Sequence, residues 1–269
     1  MFDFLTQHLD FTNNITFALI VFTGIFGLIF GSFATFVGFR LFNNEVLITG
    51  KRSVCCKCKH TLGFFDLIPF FSFIFLKGRC RYCREKIPFW HFLAEVFMPI
   101  CFILSICLFN GLNVQSILLC VISWCLITQS IIDARVMLSS DFLHIITILS
   151  TFMLSRLMGN SVKDISLMII IVVLFFFLLS QIMKIVLKKD CLGFGDVKLF
   201  VALSVLFNLE QFTIFLGATG FCGIIFYCIR HFYNKRHKIN TNNGAEFPFI
   251  PAISVAFLIV FYIYLFRLW

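Results

Sequence analysis

The apolar residues of this chain are gathered into runs of about 20, separated by short polar stretches, and no other feature restricts its fold as much. A backbone crossing hydrocarbon must satisfy its own N–H and C=O groups, so such runs become helices. The runs lie near 15–39, 92–110, 114–132, 142–158, 165–187, 197–209, 212–229 and 249–267, which predicts eight spans. The fourth is short and carries His144 and Arg156. The sixth would cover only about 20 Å at ~1.5 Å per residue. A tilted, partly buried or re-entrant element suits it better than a lipid-facing helix. Hydrophobic residues make up 60 % of the chain and charged ones 13 %, against about 25 % charged in soluble domains. An all-α polytopic membrane protein is therefore expected. Asp3 and Asp10, and no Lys or Arg, precede the first run, so an uncleaved first span is expected in place of a signal peptide.

Charge gives the expected orientation. If the loop from 40 to 91 is cytoplasmic, 19 of the 22 Lys and Arg residues fall on the inner side and both termini lie outside. The net charge of +9 then reports topology and attraction to an anionic bilayer, and nothing resembles a nucleic-acid motif. Three segments follow: residues 1–39 as N-terminal segment and first span, 40–91 as a soluble loop domain, and 92–269 as a membrane domain of seven further spans. The stretch HFYNKRHKINTNNGAEF after the seventh run reads as a flexible loop.

Twelve cysteines fall into two groups. Cys101, Cys107, Cys120, Cys125, Cys191, Cys222 and Cys228 lie in or beside spans, where thiols act as small apolar fillers. The others cluster in VCCKCKHTLGFFDLIPFFSFIFLKGRCRYCREK. Cys55 with Cys58 and Cys80 with Cys83 form two CxxC pairs separated by 21 residues, the spacing that presents four thiolates to a structural Zn2+ in a ribbon-like loop. A cytoplasmic loop also disfavours disulfides. Cys56 is surplus to this set.

Acidic residues in or beside spans are few: Glu95, Asp133, Asp141, Asp196 and Glu210. Each costs about 2.5–3.5 kcal/mol on insertion scales and calls for a reason. The topology brings Asp133, closing the third run, and Asp196, opening the sixth, to one face of the membrane. Two carboxyls that share a proton can activate water against a peptide carbonyl. Glycines beside Asp196 would let a substrate strand come close to the backbone. Structural roles stand beside this reading: Asp133 paired with Arg135, Asp141 capping the fourth helix, Asp196 capping the sixth with Lys198 as partner. Glu210 reads as a solvated outer residue. Gly24, Gly27 and Gly31 offer a small-residue packing face, as do Gly217, Gly220 and Gly223.

Several motifs, in order, resemble the bacterial type IV prepilin peptidases. GFGD at 193–196 followed by VKL is similar to their GxGD motif, and IDARVMLSSD at 132–141 to their first-aspartate motif. The paired CxxC loop, DLIP at 66–69, LKGRC, Glu95, GSFATFVGFR at 31–40 and PFIP at 248–251 extend the resemblance over residues 24 to about 260. Thr35, Ser140 and the FWH before Glu95 depart from the family pattern. The resemblance implies an inner-membrane aspartic endopeptidase that cuts prepilins and pseudopilins on the cytoplasmic side, and that in many members methylates the new amino terminus from S-adenosylmethionine. It makes Asp133 and Asp196 the catalytic pair and Cys55, Cys58, Cys80 and Cys83 the Zn2+ ligands. Gly193, Gly195 and Lys198 would shape the site, and Gly31, Ser32, Arg40 and Glu95 would serve methyl transfer or structure. A methyltransferase alone, or a zinc-ribbon scaffold or transporter, are the competing expectations.

Overall fold

The computed structural model describes residues 14–42, 53–55, 57–188, 193–236 and 247–268. Cys56, Cys191 and residues 237–246 of the polar loop expected to be flexible lie outside the described residues. Among those described, regular structure is helical, with two isolated β-bridges. Five helices among the described residues are long and apolar enough to cross a membrane, so the chain is a multi-pass membrane protein. The chain divides into two compact units, Met1–Ile131 and Ile132–Trp269.

The first unit holds α1 (Asn14–Phe42), the short α2 (Phe71–Phe75), α3 (Phe89–Leu108) and most of α4 (Val114–Val136). α1 and α3 pack along one another. Small residues set the approach: a Cβ at Gly27 would run into the backbone of Pro99, and one at Gly31 would stand 2.7 Å from the Ala94 carbonyl oxygen and 2.9 Å from Glu95 Cα. Ala34, Ala94, Met98, Phe102 and Ile131 form the core, with Trp124 against it and stacked on Phe33. The far side of α1 exposes Phe17, Phe22, Phe26 and Ile29, a surface suited to lipid.

The second unit is built around α7 (Phe194–Ser204), which contacts α5 (Asp141–Leu157), α6 (Val162–Leu187) and α9 (Ile250–Leu268); α8 (Leu209–Arg236) lies against α9. α7 has only 11 residues, and Leu199, Phe200, Ala202, Leu203 and Ser204 are buried. The turn after it stays inside, with Ser155 Oγ donating to the Val205 carbonyl at 2.8 Å. A short apolar segment can sit at this depth because neighbouring helices surround it. Phe207, Phe215, Phe257 and Phe261 interlock beside it.

The small-residue face expected on the seventh run is only partly formed. Gly223 abuts Phe249, but Gly217 and Gly220 face open space, because α8 turns that side away from its neighbour. The two kinds of glycine should respond differently. Gly27→Ala should lower stability in detergent by about 1–3 kcal/mol through overpacking, whereas Gly217→Ala should be neutral or stabilising by up to about 1 kcal/mol through helix propensity. Thermal unfolding of the two variants checks this.

Candidate active site and metal centre

Asp133 lies in the last turn of α4 and is 6 % exposed. The Ile250 N–H donates to its Oδ2 at 3.0 Å, and the Phe249 N–H also faces the carboxylate. These donors exist because α9 starts here: the first N–H groups of a helix have no partner inside it, and PFIP directs them at Asp133. Arg230 of α8 adds its charge to the same carboxylate. Nothing in its sequence context marks Arg230 for this site beyond its being one of the basic residues. PFIP is visible as a motif, but its contribution through backbone N–H groups leaves no trace in residue type.

Asp196 occupies the first turn of α7, half-buried, with Gly193 as the residue before the helix. The charge of Asp133 acts on the Asp196 carboxyl, so carboxyls 63 positions apart share one electrostatic site. Each glycine of the motif has a local reason. A Cβ at Gly193 would stand 2.8 Å from Asp196 Oδ2, and one at Gly195 would collide with the Ser139 side chain. Both glycines thus make room for groups of the chain itself.

Lys198 does not pair with Asp196, the partnership considered above. Its Nζ donates to Asp141 Oδ1 at 2.6 Å and lies 4.7 Å from the Phe194 ring centroid. The reason is helical: Lys198 stands two residues beyond Asp196 and so projects from a different face of α7. Asp141 makes no side-chain cap; Ser140 precedes the helix and also makes none. The Lys198 hydrogen bond, then its charge, hold the Asp141 carboxyl below its usual range. A depressed carboxyl favours the pair above its ordinary pKa, and the contact is lost as pH falls through the lowered value.

The four-cysteine loop repeats one local design twice. Val54 bridges Thr61 and Arg79 bridges Lys86, each pair closing a turn that carries a CxxC. In the first turn the Cys55 N–H donates to the His60 carbonyl at 3.0 Å, and the Lys59 N–H to the Cys55 carbonyl at 2.9 Å. In the second the Cys80 N–H donates to Glu85 at 2.8 Å, and the Arg84 N–H to Cys80 at 3.0 Å. Lys59 and Arg84, each just after a second cysteine, have φ of 58° and 59°. The sulfurs of Cys55, Cys58, Cys80 and Cys83 all lie within 4.8 Å of one another, and all four cysteines are free thiols. Partial burial pushes Cys55 up, but N–H groups of Cys58 and Lys57 outweigh it and hold the thiol down to about 7. Cys83 is raised to about 11: the Glu85 backbone lowers it, but burial and the neighbouring sulfurs prevail. Four thiolates so close repel one another unless a cation lies between them, and this donor set fits tetrahedral Zn2+.

Asp66 of DLIP ties the loop together. Its carboxylate pairs with Arg81 Nε at 2.6 Å, accepts from Tyr82 Oη at 3.3 Å and accepts from the Gly63 N–H at 3.1 Å. Buried Glu95 on α3 anchors the loop to the helices: its Oε2 accepts the Phe70 N–H at 2.7 Å, and the Ser32 side chain is a second partner. Arg40 is buried and lies 4.3 Å from the Phe36 ring centroid. Gly31, Ser32, Arg40 and Glu95 are thus used in packing and in loop attachment.

The fold and the site define an all-helical, multi-pass membrane protein with two interacting carboxyls and a four-cysteine loop. The Bacterial Peptidase A24 N-terminal domain profile matches residues 25–109, and the Type IV leader peptidase family profile matches residues 120–228. The chain belongs to the type IV leader peptidase family. It is 27 % identical over 253 residues to a Prepilin leader peptidase/N-methyltransferase of Vibrio cholerae, covering 91 % of this chain and 96 % of the relative. It is 27 % identical over 267 residues to a Type 4 prepilin-like proteins leader peptide-processing enzyme of Escherichia coli, covering 91 % of this chain and 94 % of that protein. A Bacillus subtilis Prepilin leader peptidase/N-methyltransferase is 37 % identical over 91 residues, 34 % of each chain. No solved structure matches.

Proposed function

We propose that this protein is a prepilin and pseudopilin leader peptidase of the bacterial inner membrane, working at the cytoplasmic face with Asp133 and Asp196 as its catalytic pair. The observation that carries the proposal is the electrostatic interaction between these two carboxyls, a buried Asp133 and a half-buried Asp196 drawn from separate helices. One carboxylate removes a proton from water as its oxygen attacks the scissile carbonyl. The other, protonated, donates to the carbonyl oxygen. Collapse of the tetrahedral adduct breaks the C–N bond, and a proton from the pair passes to the leaving amine. One proton shared between two carboxyls suffices at the start, and no covalent intermediate forms. N–H groups at the start of α9 hold Asp133 in orientation throughout.

All eight predicted runs are helical, which supports eight membrane elements, with α5 and α7 as short members. The metal-loop cysteines Cys55, Cys58, Cys80 and Cys83 would hold a structural Zn2+, whose chemistry is to bind thiolate and so stabilise the two CxxC turns. Methylation of the new amino terminus is the second activity, favoured by the relatives named as N-methyltransferases. Gly31, Ser32, Arg40 and Glu95 are engaged in packing and loop attachment, and no step is drawn through that methyl donor.

Purified protein incubated with a synthetic prepilin, with and without S-adenosylmethionine, should yield a product lacking the leader in both cases. Only the sample with S-adenosylmethionine should gain the mass of one methyl group. An uncut substrate would overturn the peptidase reading, and a cut but never methylated product would remove the second activity alone.

A further inference from the structure

We propose that His144 is a substrate-binding residue of the peptidase site, pairing its imidazole with a main-chain peptide group of the substrate beside the glycine motif. The inference rests on the peptidase reading above and adds to it a residue and a chemical contact.

His144 lies one turn into α5 and is 2 % exposed, yet neither Nδ1 nor Nε2 has a hydrogen-bond partner among the described residues. A buried polar group left unpaired destabilises a fold, and a leucine in the same apolar run would not have this defect. Its location supplies a reason for keeping it. Nε2 lies 3.9 Å from where a Cβ of Gly195 would stand, and Gly195 immediately precedes Asp196. Two contacts fix the turn of α5 that carries the ring. Asp141, three residues earlier on the same face of α5, is bound to Lys198, which ties the start of α5 to α7. Ser140 accepts the His144 backbone N–H at 3.1 Å and fixes the turn.

A neutral imidazole offers one donor and one acceptor, and a peptide group offers the complementary pair. A substrate strand drawn alongside Ser139, whose side chain fills the space at Gly195, leaves water, and its N–H and C=O groups then need partners as His144 does. One hydrogen bond between a ring nitrogen and one of these groups gives each a partner, and it acts on binding of the chain more than on the proton exchange at the carboxyls.

The test uses full-length protein in detergent and a synthetic prepilin peptide, with KM, kcat and thermal unfolding measured for His144→Leu and His144→Gln. His144→Leu should raise KM about five- to tenfold with kcat changed less than about twofold, the scale of one lost hydrogen bond. Its unfolding temperature should stay level or rise. His144→Gln keeps a donor and an acceptor and should recover most of the KM. An unchanged KM in His144→Leu, as expected if an internal water completes the ring, overturns the proposal. A lowered unfolding temperature with the same KM in both variants also overturns it, because the histidine is then structural. Wild-type cleavage in the same assay keeps either failure separate from failure of the peptidase reading.

Discussion

Asp196→Asn should reduce leader cleavage by about 10²–10⁴-fold while leaving the unfolding temperature of the purified protein nearly unchanged. The contrast separates chemistry from capping. Asp196 sits in the first turn of α7, where an acid favours the helix start. Asparagine serves a helix start almost as well as aspartate, so a capping role would survive the change within a few tenths of a kcal/mol. A proton shared between two carboxyls would not survive it. Asp133→Asn should give the same loss of rate, but with a penalty in stability, because its carboxylate accepts N–H groups at the start of α9 and feels Arg230. Steady-state cleavage of a synthetic prepilin, beside thermal unfolding of the same preparations, decides the matter. Wild-type processing by a folded Asp196→Asn protein would end the two-carboxyl mechanism.

Removing the metal should have the other large effect, and it should fall on the loop. Residues 53–88 contain one buried residue among those described, Cys80, while Phe64, Phe65 and Phe75 stand exposed. A segment with so little apolar interior needs another source of folding energy, and structural Zn2+ supplies about 10–16 kcal/mol in small peptides. Cys80→Ser, or treatment with a strong chelator, should therefore remove one zinc per chain and open the loop to protease, with cuts between the two CxxC turns. Metal analysis by mass spectrometry and timed proteolysis give the two readouts. A loop that stays protected after losing its metal would show that the Asp66 network and the Glu95 anchor hold it without the ion. Lys59 and Arg84 make such independence costly, since each holds a left-handed conformation at about 1–2 kcal/mol.

Much of this molecule was legible in its amino-acid order because a bilayer and tetrahedral thiolate ligation impose simple rules. Hydrocarbon forces apolar runs to become helices, and each of the eight runs is one. Tetrahedral thiolate binding requires two close pairs of cysteines, and CxxC supplies them. Asp133 and Asp196 stand out because charges are rare in apolar runs and the expected topology puts both at one face. What the order of residues could not decide is which neighbours each acid would meet. Lys198 is two positions from Asp196 but bonds Asp141, because direction around a helix, and not distance along the chain, selects a partner. Gly217 and Gly27 are the same residue type in similar runs, yet only the latter lies against another backbone. The Ile250 N–H, the charge of Arg230 and the unpaired imidazole of His144 acquire meaning only from the packing of helices distant in sequence. Hydropathy and ligand spacing are properties of short segments and can be read in order; electrostatic and hydrogen-bond partnership is a property of positions in space, and only the tertiary structure assigned it.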